Sequence, residues 1–250
     1  MTEAEWLTGY DSGSLLRAIS GTDFKHIAGE RRLRLFACEC YRRVNQHLQR
    51  STTPVEYSAV QAAVAIAERF ADNRASVSEF RRAQTEIREL SNAVEELVRV
   101  SYLECSSRVT LIALGLAACV LRDRSAQAAY DVSSNAAQDL ASLLCPAMGE
   151  LDSAFVPVKT AESRAQCNLL RDIFGNPFQS VTFAFEWRTE TAVAVASQMY
   201  ESRDFSAMPI LADALQDAGC DNDDILNHCR DPKGAHVRGC WVVDLLLGKS

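Results

Sequence analysis

Three of nine cysteines and two of four histidines fall in one short stretch, GCDNDDILNHCRDPKGAHVRGCW, from Gly219 to Trp241. Asp224 and His228 are four residues apart, and so are His236 and Cys240. Residues at that spacing share a helix face. The short link RDPKGA folds one such helix back on the other, so Asp224, His228, His236 and Cys240 are expected to present an O, N, N, S set to one ion. That set suits zinc, structural with four protein ligands or catalytic with an open position. Cys220 and Cys229 are substitutes for Asp224. Cys229 neighbours His228 and diverges from it by about 100° on a helix, so the two do not share an ion. The competing expectation is that no metal or other cofactor is held and these are packed helix ends, the thiols acting as small apolar groups.

Other chemistries fit less well. A calcium loop counted from Asp217 puts Asn222 where glycine is needed and His228 where a bidentate glutamate is needed. A nucleophilic site from Cys240, either histidine, and Asp224 or Asp244 places the thiol beside an apolar tail, where thiolates are disfavoured. No G-x-S-x-G, phosphate-binding glycine loop or H-E-x-x-H occurs. Cys38 and Cys40 diverge by about 200° on a helix and are expected to be core residues.

These residues must be positioned by helices. Leu33, Phe36, Cys40, Val44 and Leu48 recur at three- and four-residue steps, and similar stripes follow through Val55–Phe70 and Ile87–Leu97. Val109 to Val120 is apolar but too short for a bilayer, which takes about twenty residues, and is expected to be a buried helix. VTFAFEW, from Val181, is the one short strand or extended loop, and helices are expected over Asp223–Arg230 and Ala235–Leu247. The expected class is all-α, a multi-helix bundle or array. It divides into an N-terminal helical region (1–148), a linker (149–159) and a compact C-terminal helical module (160–250).

The net charge of −7 argues against bulk binding to nucleic acid or an anionic membrane. Lys25, Arg31, Arg32, Arg34, Arg42, Arg43 and Arg50 face only Glu30 and Glu39 nearby. This excess suits either a phosphate contact through helix 30–50 or a solvated face. The acidic segment from Asp213 to Asp224 is an intramolecular partner for it, and Arg238 or Lys249 is available to Asp244. The opening MTEAEWLTGYDSG carries two early acids and no apolar core, so no secretory signal is expected. With nine cysteines, an odd number, reduced thiols in the cytoplasm are the simplest reading.

LLRDIFGNPF (Leu169–Phe178), MPILADALQDAGCDNDDILNHCR (Met208–Arg230) and HVRGCWVVDLLLGK (His236–Lys249) resemble an uncharacterised planctomycete protein family. MTEAEWL and RLRLFACECYRRV resemble its N-terminal part. The resemblance implies a shared fold and no activity. Where the group carries ACxCCRR this chain has Tyr41, which argues against a metal at the N-terminal cysteines. The sequence thus points first to a non-enzymatic cytoplasmic protein that binds or scaffolds an unidentified protein partner. A zinc-binding protein comes second and nucleic-acid contact third.

Overall fold

A computed structural model describes residues 1–20, 29–48, 54–101, 105–144 and 153–249. Lys25, Arg50 and positions 149–152 of the expected linker lie outside the described residues. Among the described residues there are twelve α-helices, one 3-10 turn and no strand. They are α1 (Glu3–Thr8), α2 (Ser12–Ser20), α3 (Glu30–Leu48), α4 (Pro54–Ala71), α5 (Val77–Ser101), α6 (Cys105–Val120), α7 (Ser125–Leu144), α8 (Phe155–Phe174), α9 (Glu190–Ser202), α10 (Met208–Asp217), α11 (Asp223–Arg230) and α12 (Trp241–Leu247). The chain is all-α, as its periodicities require.

Two apolar cores organise the helices. The first gathers α1 to α8 around α3 and runs to Phe174. The second begins at Ala192 and gathers α9 to α12. Helix α8 therefore packs with the N-terminal helices, and the change of core falls in the loop after it. Residues 155–159, expected as linker, are the first turn of α8. Pro157 is tolerated there because first-turn N–H groups have no helical acceptor. VTFAFEW contains no strand: it is irregular chain ending in the 3-10 turn Phe185–Trp187. Among the described residues no helix is long and apolar enough to cross a membrane, and Val109, Leu114, Leu116 and Val120 of α6 lie in the first core.

Helix α3 is central, and this changes the role of its arginines. Cys38 and Cys40 are both fully buried although they diverge, because α3 is covered on nearly all sides. Arg34 is 3 % exposed, donates to the carbonyls of Val120 and Asp123 beyond the end of α6, and lies 4.8 Å from the Phe80 ring centroid. Arg42 donates to Glu68 and Arg43 to Glu162. Arg31 grips both oxygens of Asp244, at 2.5 and 3.0 Å, and also reaches Asp72 and the Tyr200 hydroxyl. The arginines thus point inward, to Glu68, Asp72, Glu162 and Asp244 and not to the acids of 213–224. Asp244 takes Arg31 in place of Arg238 or Lys249. Arg238 serves the Tyr200 carbonyl and Glu201.

Glu39 is the α3 carboxylate held least well. Burial raises its pKa from the ordinary 4.5 to about 7, and Arg42, 3.7 Å away, offsets that only in part. A charge disfavoured in the fold destabilises it fully above pH 7, and the penalty fades as pH falls toward 4.5. Glu39→Gln is expected to stabilise the protein at pH 8 by about 1–3 kcal/mol, the gain vanishing near pH 4.5. Urea unfolding of both proteins across that range is the check, and an equal gain at every pH contradicts the assignment.

Candidate metal centre

Helix α11 begins at Asn222, whose side chain accepts the N–H of Ile225, and the acids Asp223 and Asp224 suit its positive end. It buries Ile225, Leu226 and Cys229. His228 is carried on the edge of that face, with 19 % of its side chain exposed. The chain after Arg230 does not re-enter a helix as the spacing predicts. Pro232 and Gly234 lie in a turn, and Gly239 takes a positive φ of 92° against Leu35, which keeps the backbone out of helical geometry. Residues 231–239 are a loop that carries His236. Cys240 is the N-cap of α12.

The fourth member comes from the other core. Asp172 lies near the end of α8, and its side chain is 3 % exposed. His228 Nε2 lies 3.2 Å from Asp172 Oδ1 and 3.2 Å from Cys240 Sγ. His236 Nδ1 lies 2.8 Å from the same Asp172 oxygen, and the other oxygen accepts the N–H of Val237 at 3.0 Å. The two imidazoles meet edge to face with centroids 4.8 Å apart. One ligand atom from each of Asp172, His228, His236 and Cys240 thus lies within 4.8 Å of the other three.

The structure therefore brings together His228, His236 and Cys240 and replaces Asp224. Asp224 does share a helix face with His228, and both line a neighbouring cleft. It is exposed, however, and the ligand atoms converge on the side toward α8. Cys220 and Cys229 are buried outside this group. Asp172 escaped the sequence reading because it lies far along the chain from His228. One signal was present: Gln166, Leu169 and Asp172 step by three along the buried stripe of α8, so a carboxylate falls at a core position.

The electrostatics suit a cation. Burial acts to raise the Asp172 pKa, but hydrogen bonds from His228 and His236 outweigh it, so the carboxyl sits below its usual range. It is a buried negative charge that no arginine or lysine contacts among the described residues. Burial, with the Asp172 charge, pushes the Cys240 thiol well up, so without a metal it is a neutral S–H. His236 Nε2 is buried without a hydrogen-bond partner and faces Gly234, where an added Cβ would stand 2.5 Å from it.

A cysteine–histidine–aspartate relay requires the carboxylate on the ring nitrogen opposite the thiol. Here Asp172 and Cys240 both approach the same nitrogen of His228, which is convergence on a point. Asp244, the other acid considered for such a relay, is taken by Arg31. Comparisons with protein-family models, curated proteins and solved structures find no match.

The two aspartates should separate cleanly in stability measurements. Asp224→Asn is expected to change unfolding free energy by less than about 0.5 kcal/mol, as exposed substitutions do. Asp172→Asn keeps the shape but sets an amide N–H₂ against groups that need an acceptor, and should cost about 1–3 kcal/mol. Denaturant midpoints of the two variants decide this, and equal effects would contradict the placement of Asp172.

Proposed function

We propose that this is a zinc-binding protein whose ion, held by Asp172, His228, His236 and Cys240, fastens the C-terminal helices to α8. One observation carries the reading: four ligand atoms of metal-binding type, from α8, α11, a loop and the α12 cap, lie within 4.8 Å of one another. Zinc ligands at about 2.0–2.3 Å from an ion stand about 3.3–3.7 Å apart; the separations here run from 2.8 and 3.2 Å up to at most 4.8 Å, which bracket that range. One thiolate, two imidazoles and a carboxylate form a borderline ligand set that suits zinc over calcium or magnesium. Asp172 and a metal-bound Cys240 thiolate together balance the charge of a divalent ion.

Four protein ligands leave no position for a substrate or an activated water, so the role is structural and the protein is read as non-enzymatic. The nucleic-acid reading has less support, since Arg31, Arg34, Arg42 and Arg43 are occupied by internal acceptors. Elemental mass spectrometry of the untagged chain, purified without chelator, is expected to find about one zinc per chain. A His236→Ala/Cys240→Ser variant should lose the ion together with thermal stability, and Asp224→Ala should keep both. No zinc on purification and none taken up on addition would overturn the metal reading. Zinc that can be removed without moving the melting temperature would overturn its structural role.

A further inference from the structure

A cleft of about 550 Å³ opens between α1, the end of α8, α11 and α12. That size suits a small organic molecule. Leu7, Val181 and Leu245 supply accessible apolar wall, with Trp6, Phe174 and Trp241 largely buried behind it, and Gly175 brings its backbone against the Trp241 ring, where an added Cβ would stand 3.3 Å away. Arg32, from α3, also lines the cleft.

Arg32 differs from its neighbours on α3. Among the described residues its guanidinium makes no hydrogen bond, and its Nε is buried without an acceptor. Its ion pair is with Asp244, whose oxygen is 3.8 Å away and is already held by Arg31 at 2.5 Å. Burial, opposed in part by the Asp244 charge, lowers its pKa. Only 16 % of the side chain is exposed, and of its three nitrogens Nε alone is both buried and without a hydrogen-bond acceptor. A second arginine of the cleft, Arg171, bonds the carbonyls of Trp6 and Gly9 and the amide of Asn168, with no carboxylate. The cleft's own carboxylates, Asp224 and Asp231, are exposed and solvated.

We infer that this cleft binds a small molecule with an apolar body and a terminal carboxylate, which the Arg32 guanidinium, without a hydrogen bond among the described residues, anchors. An arginine fork fits a carboxylate through two parallel N–H donors, and burial strengthens such a bond. The apolar walls take the apolar body. The inference does not require an ion at the neighbouring metal centre.

The test uses the full chain and three probes: indole-3-carboxylate, its uncharged analogue indole-3-carboxamide, and inorganic phosphate. Calorimetric titration is expected to give saturable binding of the carboxylate in the range of about 10 μM to 1 mM. The carboxamide should bind at least about tenfold more weakly, and phosphate, which lacks the apolar body, weakly or not at all. Arg32→Met should weaken the carboxylate about tenfold or more while leaving the melting temperature nearly unchanged, because Asp244, its ion-pair partner, keeps both hydrogen bonds from Arg31. Arg32→Lys should retain part of the binding. Equal binding of carboxylate and carboxamide, carboxylate binding within about twofold in Arg32→Met, or no saturable binding up to about 10 mM would each overturn the proposal. Phosphate bound as tightly as the carboxylate would reduce the site to a general anion contact and overturn it as well.

Discussion

The two cores are held in register by buried carboxylates. Glu68 and Asp72 of the first core have side chains 1 % exposed, Asp172 3 %, and Asp244 of the second core 0 %. A carboxylate so far from water is costly unless a cation or several donors meet it. Three of the four meet arginines. Asp244 reaches across to Arg31, Asp72 accepts from Arg31 and the Tyr200 hydroxyl, and Glu68 accepts from Arg42 and Arg203. Each link fixes direction as well as distance, which apolar contact between two helical layers cannot do. Removing one partner would leave the other buried and unpaired, so α9 and α12 are confined to one position against α3 and α4.

Asp172 is the exception that gives the site its meaning. It faces two imidazoles and a thiol where the other three face guanidinium groups. Two neutral histidines can satisfy its oxygens as donors, so the fold is consistent without an ion. They carry no permanent positive charge of the kind the guanidinium groups supply at the other three links. A divalent ion would supply it, and would also turn Cys240 from an inert buried thiol into a ligand. On that reading the metal does for α11 and the 231–239 loop what Arg31 does for α12.

Much of this was legible in the sequence, for identifiable reasons. Helical periodicity predicts α3, α4, α5 and α11 because each buries a stripe of its own. The clustering of His228, His236 and Cys240 marks them as one neighbourhood, since the chain has little room to separate them. The fourth group was not legible. Spacing of four picks Asp224 because local rules act only along one helix, and the convergence is set by α8, which belongs to the other core. The same limit explains Arg31, Arg42 and Arg43. A run of arginines reads as a solvated face until the helix carrying them is seen to be enclosed. The loop at His236 was misread for a different reason: Gly234 and Gly239 lie within a span whose spacing still fits a helix, and only the positive φ at Gly239 shows that the turn is broken there.

The break at Gly239 is also what makes the convergence geometrically accessible. Had Ala235 to Leu247 been one helix, His236 and Cys240 would have lain one turn apart on a single face, as the spacing predicts. The broken chain lets His236 descend to Asp172 from the loop, while Cys240 arrives separately as the N-cap of α12. Gly239 packs against Leu35 of α3, where an added Cβ would stand 3.1 Å from the leucine side chain. The approach of the loop to the central helix therefore depends on a residue without a side chain. Leu35 sits beside the arginines that hold Asp72 and Asp244, so one stretch of α3 sets both the charged links and the height of the loop bearing His236. The candidate metal centre and the salt-linked seam thus follow from one constraint: the links to Arg31 and Glu68 fix how the C-terminal helices close on α3, and that arrangement brings Asp172, His228, His236 and Cys240 together.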